Sequence, residues 1–303
     1  MARPIPVKTG WYILPVALLL SSCFPTGFRQ QTAAGNFAAG GNAGMSGSAE
    51  TSGAGDAAPA GTSPAGADSE PAFPDKMRQV LSEALIPGDL SRRVMAAAMA
   101  GPHFILDLLS CLEGDLYLRR LVDKTHPLPD GYEPDDLVEL AGGAYLINRT
   151  GLMLRRSAAG ALAGMAAAAQ ADGVTLLVSS TYRSYDYQVE VYARAVQQDG
   201  QEEADRVSAR PGYSQHQTGL AVDFGSIDDS FAQTPASRWM LSNAALFGWS
   251  LSFPQGYEAI TGYVWESWHY RYVGPELAAF IDAYFDGIQQ YALRFIHEWE
   301  NYR

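Results

Sequence analysis

Ser214 to Phe224 reads SQHQTGLAVDF and Trp265 to His269 reads WESWH, and these two stretches hold the residue types that metal-assisted water chemistry requires. They supply His216, His269, Asp223 and Glu266. Two histidines and an aspartate are three protein ligands, the number a catalytic zinc uses when a fourth position stays open for water, and a glutamate beside them is a base for that water. The chain has only five histidines, so finding two of them in motifs with a carboxylate close by weakens coincidence as an explanation.

The elements around these residues must bring them together. Gly219 to Phe224 is short, apolar and partly β-branched, which predicts a buried strand carrying Asp223, a costly position for a carboxylate unless it meets a cation or several donors. His216 lies in the polar turn before that strand, within reach of the same ion. Taken alone, this pair reads equally well as a loop histidine and the acceptor of a structural hydrogen bond. WESWHYRYV adds the third ligand and the base. Residues three apart on a regular strand point to opposite faces, so Glu266 is expected on a loop or irregular stretch just before a strand bearing His269. The density of Trp and Tyr favours strand over helix for this segment.

Further upstream, alanine-dense Leu154 to Ala171 predicts a long helix stopped by Gly173, and Val174 to Ser179 a buried strand. STYRSYDYQVEVYARAV then predicts a helix capped by Ser184, with Val189, Tyr192, Ala193 and Val196 as its apolar stripe. Arg183 sits at that strand-to-helix junction, where a guanidinium either stays a solvated surface charge or points into a cleft to hold a carboxylate or polarise a carbonyl. His126, between Thr125 and Pro127 on an extended arm, reads as a turn or packing histidine. Tyr117 to Asp123 has the composition of a strand. Lys76 to Leu85, Leu90 to Met99 and Phe104 to Leu112 read as packing helices. Pro275 to Arg303 reads as one C-terminal helix with an aromatic stripe of Phe280, Tyr284, Phe285, Tyr291, Phe295 and Trp299, packing on the domain or offering a face to a partner.

Residues 1–22 have the form of a secretory signal, with Arg3 and Lys8 ahead of the apolar run Trp11 to Leu20. Leu20-Ser21-Ser22-Cys23 resembles the lipobox of bacterial lipoproteins, which implies cleavage before Cys23 and lipidation of its thiol. Residues 23–72 are rich in Gly, Ala, Ser, Thr and Pro and cannot bury enough apolar surface to fold, so they are expected to tether the domain with a root-mean-square reach of roughly 35–40 Å. The globular domain is expected over 73–303. Loss of residues 1–22 would leave 33 acidic against 19 basic residues, an excess that argues against nucleic acid and against adhesion to anionic lipid. Membrane association would then rest on the lipid. With Cys23 lipidated, Cys111 has no intramolecular partner and reads as a buried core residue.

LVDKTHPLPDGYEPDDLVEL, STYRSYDYQVEVY, SQHQTGLAVDF and WESWHYRYVG together resemble the VanY-type D-alanyl-D-alanine carboxypeptidases, zinc peptidases of the bacterial cell wall, over Leu121 to Gly274. The resemblance implies an α+β domain of the zinc D,D-peptidase or hedgehog-like kind: a small, mostly antiparallel sheet carrying the ligands, with helices on one side. It implies one Zn2+ held by His216, Asp223 and His269, with Glu266 activating water and Arg183 facing the substrate carbonyl. Gln188 and Ser214 would lie near the substrate's C-terminal carboxylate, and Trp268 would pack behind the ligand strand. Peptidoglycan stem peptides are the implied substrate, and the cell envelope, facing the periplasm or the exterior, the implied location. An L,D-carboxypeptidase, an endopeptidase on the same polymer, a non-catalytic wall-binding lipoprotein, and an envelope-protein partner with a structural metal remain alternatives. The binding-only alternative would be marked by loss of Glu266 or Arg183, and both are present.

Overall fold

The computed structural model describes residues 72–302; the expected signal peptide, the Cys23 lipidation position and the tether up to residue 71 lie outside the described residues. Three amphipathic helices come first, α1 (Phe73–Glu83), α2 (Gly88–Met99) and α3 (His103–Leu112). Each buries residues at helical spacing: Met77, Val80 and Leu81, then Leu90, Val94 and Ala98, then Phe104, Leu108 and Cys111.

The strand expected over Tyr117 to Asp123 does not form. In its place stands a single helical turn, α4 (Leu116–Arg119), whose cap is the Asp115 carboxylate accepting from the Tyr117 amide at 2.8 Å. The Tyr117 and Arg120 carbonyls accept from the Arg271 guanidinium at 2.8 and 2.9 Å, so a side chain takes the acceptors that a neighbouring strand would need.

Next come β1 (Leu137–Glu139), β2 (Tyr145–Ile147), β3 (Met153–Arg155), α5 (Arg156–Ala171), β4 (Leu176–Ser180), α6 (Tyr185–Val207) and β5 (Ala221–Phe224). The chain then continues through α7 (Pro235–Asn243), β6 (Trp249–Phe253), α8 (Glu258–Thr261), β7 (Glu266–Tyr272), α9 (Pro275–Tyr284) and α10 (Gln289–Asn301). β1 and β3 form a small antiparallel pair, and the main sheet runs β2-β4-β5-β7-β6, antiparallel except between β2 and β4. This is the expected α+β, mostly antiparallel architecture.

Alternation along β5 and β7 gives the sheet two different faces. Val222, Phe224 and Tyr270 join a core with Leu162, Met165 and Ala166 of α5, whereas Asp223 and His269 turn the other way. A second core unites α1, α2 and α3 with α9 and α10. The expected C-terminal helix is broken: Asp286 (φ 54°) and Gly287 (φ 74°) are left-handed, which ends α9 and redirects the chain into α10. The break lets both halves bury their rings on the N-terminal helices. Phe104 lies 5.5 Å from Phe280 and 5.9 Å from Phe295, so the aromatic stripe packs on its own domain.

Candidate active site

His216 sits on a short 3-10 turn, Gln215–Thr218, opened by Ser214, whose Oγ accepts from the His216 amide at 3.3 Å. Gly219 (φ 69°) closes the turn in the left-handed region and delivers the chain into β5. The His216 ring nitrogen Nδ1 lies 2.7 Å from the Thr181 carbonyl. A carbonyl can only accept, so the ring proton belongs on Nδ1 and the Nε2 lone pair is left free. That Nε2 lies 3.2 Å from Asp223 Oδ2 without hydrogen bonding to it.

Asp223 and His269 are register partners across β5 and β7. Asp223 Oδ1 and His269 Nδ1 are 3.1 Å apart, and His269 Nε2 meets Gln215 Oε1 at 3.2 Å. Among the described residues, one ligand atom from each of His216, Asp223 and His269 falls within 4.8 Å of the others, and all three side chains are buried. Among the described residues, His216 Nε2 and Asp223 Oδ1 have no hydrogen-bond partner. Buried lone pairs left bare and converging on one point are costly unless a cation takes them, and two imidazoles with a carboxylate suit zinc. The residues therefore fit the implied ion.

Glu266 Oε2 lies 3.3 Å from His269 Nδ1. Both residues belong to β7, so the expectation of a loop-borne Glu266 is corrected. The irregularity lies inside the strand. Between the pairs Leu251↔Tyr270 and Phe253↔Glu266, β6 advances two positions and β7 four, and this bulge turns Glu266 onto the face that carries His269.

The charges at the site perturb one another. Burial pushes the Glu266 carboxyl above its ordinary range, although His269 pulls the other way. Burial, with Arg183 adding, lowers His216 to about 4. For His269 burial also lowers, but the Asp223 and Glu266 carboxylates outweigh it and hold the ring at about 9. Asp223, which burial alone would raise, is driven well below the carboxylate range by the two histidines.

Arg183 does point into the cleft. Its Nη2 lies 3.5 Å from Asp223 Oδ2, and its Nη1 donates to Gln188 Oε1 at 3.0 Å. Gln188, expected near the substrate's carboxylate, is wholly buried against Arg183. Its Nε2 donates to the Ala209 carbonyl at 2.7 Å, so its amide holds Arg183 in place and does not face the cleft. Ser214 borders the cleft, but its hydroxyl is engaged in the turn cap. Trp268 packs against the core beneath the sheet and also borders the cleft. His126 lies apart from the cluster, its Nδ1 2.8 Å from Asp123 Oδ1 and its ring 4.8 Å from that of His297. The expected stripe of α6 is not a core face, since Val189 is exposed and Val191 and Ala195 border the cleft instead. That cleft encloses about 670 Å³ and is lined by Tyr187, Tyr213, Tyr263 and Trp268 together with His216, Asp223, His269 and Glu266.

The VanY D-alanyl-D-alanine carboxypeptidase family model matches residues 151–275. YodJ of Bacillus subtilis (strain 168) is 36% identical over 186 residues, covering 58% of this chain and 67% of that one. A vancomycin resistance D,D-pentapeptidase VanY, solved in complex with Zn(II), is 31% identical with a TM-score of 0.50, and the match covers 61% of this chain and 99% of VanY. The chain belongs to the VanY family of D-alanyl-D-alanine carboxypeptidases. It is thus a peptidase of the VanY fold. LdcB, an LD-carboxypeptidase, is 34% identical with a TM-score of 0.50, the match covering 55% of this chain and 85% of LdcB. The VanY-matched segment contains Arg183, Gln188, Ser214, His216, Asp223, Glu266 and His269 and excludes α1 to α4 and α10.

Sequence reading missed Gln215, buried beside His269, and Ser252 and Gln289, both buried against Gln215. Gln215 could have been flagged, since it stands inside the motif between Ser214 and His216. Ser252 and Gln289 carried no local signal.

Proposed function

We propose that this VanY-family peptidase is a zinc-dependent carboxypeptidase that removes the C-terminal D-residue from peptidoglycan stem peptides. The observation that carries the proposal is the buried His216, Asp223 and His269 set, in which His216 Nε2 and Asp223 Oδ1 have no hydrogen-bond partner among the described residues, with Glu266 Oε2 within 3.3 Å of His269 Nδ1. A zinc ion held there supplies Lewis acidity, making water more acidic and drawing electron density from a carbonyl oxygen.

The chain's own residues do the rest. Glu266 Oε2 accepts the proton of the attacking water and hands it to the departing amine nitrogen as the C–N bond breaks, a double duty suited to a carboxyl raised by burial. Arg183, held by Gln188, donates toward the negative charge that develops on the substrate oxygen. The tyrosine and tryptophan walls shield the reacting groups from bulk water and bound the space for a small D-residue. With Glu266 and Arg183 both at the cleft, catalysis is favoured over a binding-only role.

A second reading is an L,D-carboxypeptidase acting on the shortened stem, favoured by the likeness to LdcB. Purified protein is incubated with stem pentapeptide and stem tetrapeptide, and the released amino acid is identified by chromatography. Release of terminal D-alanine from the pentapeptide, lost with a chelator and in Glu266→Ala, is the expected result. Release from the tetrapeptide alone selects the second reading, and release that survives both treatments overturns the zinc mechanism.

We also propose that Cys23 carries lipid and holds the enzyme in the cell envelope, on the strength of Leu20-Ser21-Ser22-Cys23. Labelled fatty acid should enter the wild type and not Cys23→Ala; equal labelling would overturn the anchor.

A further inference from the structure

His269 offers its Nδ1 to the cluster, so its single neutral-state proton must reside on Nε2, and Nε2 needs an acceptor. Gln215 Oε1 lies there at 3.2 Å. An amide could equally present its NH2 group, which would repel an Nε2–H, so something must fix which end of Gln215 faces the ring. The neighbours do so. Ser252 Oγ donates to Gln215 Oε1 at 2.7 Å, and Gln215 Nε2 faces Gln289 Oε1 at 3.4 Å. Gln289 is fixed in turn because its Nε2 donates to the Ser250 carbonyl at 3.2 Å, and a backbone carbonyl can only accept.

The polarity therefore runs one way. Ser250 commits the Gln289 amine, which leaves Gln289 oxygen for the Gln215 amine, which leaves Gln215 oxygen for His269. Gln215, Gln289 and Ser252 are 5%, 1% and 2% exposed, so the relay's polar atoms depend on one another more than on bulk water. His216 meets its carbonyl directly, through Thr181, whereas His269 reaches one only through this relay. Gln289 opens α10, outside the family-matched residues 151–275.

We infer that Gln215 and Gln289 are positioning residues for His269, and that the C-terminal helix α10 thereby sets the ring orientation and tautomer of a ligand held on the central sheet. The inference rests on the zinc reading above. α10 is accordingly part of the metal site's support as well as a packing helix. Loss of an outer hydrogen-bond partner to a ligating histidine typically weakens metal binding by about 10- to 100-fold.

The test is zinc affinity of the full-length chain, measured by competition with a chromogenic chelator, alongside circular dichroism of the metal-free protein. Gln215→Leu and Gln289→Met are expected to weaken zinc by about tenfold or more at unchanged secondary structure. Gln215→Glu is expected to stay within about threefold of wild type, because a carboxylate still accepts from Nε2–H, and this rescue separates positioning from packing. In the zinc-loaded wild type, long-range 15N–1H correlation should place the His269 proton on Nε2. If Gln289→Met fails to fold, the Gln215 pair decides the matter. Zinc affinity of Gln215→Leu equal to wild type, or equal losses in Gln215→Leu and Gln215→Glu, overturns the inference while leaving the proposed function intact. A wild-type chain that binds no zinc overturns both.

Discussion

Glu266 Oε2 and His269 Nδ1 stand 3.3 Å apart although three positions separate them on one strand. A regular strand would send them to opposite faces, and the bulge in β7 against β6 abolishes that alternation. The proposed ligand and the proposed base are therefore set by one backbone irregularity, and neither needs a flexible loop.

The proposed base can be separated from the proposed ligands by mutation. Glu266→Gln preserves the shape of the side chain and leaves His216, Asp223 and His269 untouched, so zinc affinity should stay within a few-fold while kcat falls by about 10²- to 10⁴-fold. Steady-state kinetics with parallel chelator competition checks this. Full activity in Glu266→Gln would remove Glu266 from the mechanism.

Metal binding should release a proton. In the metal-free protein His269, at about 9, is protonated at neutral pH, whereas His216, at about 4, is already neutral. Coordination needs both rings neutral, so near pH 7.5 the His269 proton must leave as zinc enters. Zinc affinity should then rise about tenfold per pH unit between roughly pH 5 and 8 and flatten as pH passes through 9. Calorimetry in buffers of different ionisation enthalpy measures the released proton directly; a binding heat independent of buffer would contradict the assignment.

Much of this site was legible because its chemistry is local in sequence. His216 and Asp223 share one turn and strand, Glu266 and His269 share another, and Ser184 caps α6 as its position suggests. What was hidden depends on distant partners. The bulge that turns Glu266 is defined only against β6, and the relay to His269 joins Gln215 to Gln289 across 74 positions. Tyr117 to Asp123 has strand composition, yet Asp115 and the remote Arg271 take its amide and carbonyls. Gln188 carries a polar side chain on α6, and only the folded chain reveals that it supports Arg183 from below.

Cys111 should be chemically silent in the native protein. Burial in the helical core pushes its thiol up to about 12, and Asp107 and Glu276 act in the same direction, so almost no thiolate exists at pH 8. An alkylating reagent at pH 8 should leave Cys111 unmodified until denaturant is added, as read by peptide mass mapping. Rapid labelling of the folded protein would show that α3 does not pack as described.

Arg271 is a wholly buried guanidinium that forms no ion pair among the described residues. Burial lowers it to about 10, which still leaves it charged at neutral pH, and it spends that charge on the carbonyls of Tyr117 and Arg120. Two effects compete when it is replaced. Removing the side chain opens a cavity and strands the carbonyls, but it also removes a desolvated charge. In Arg271→Ala the first effect has both parts, and a loss of about 3 kcal/mol or more is expected. In Arg271→Met most of the volume is kept and the buried charge is gone, so the loss should be smaller, about 1–2 kcal/mol for the stranded carbonyls. Denaturant unfolding of the metal-free variants measures both values. Arg271→Ala within about 1 kcal/mol of wild type would mean that the α4 turn is held by Asp115 and by the Tyr117 and Tyr132 rings, stacked 4.4 Å apart, without help from the arginine.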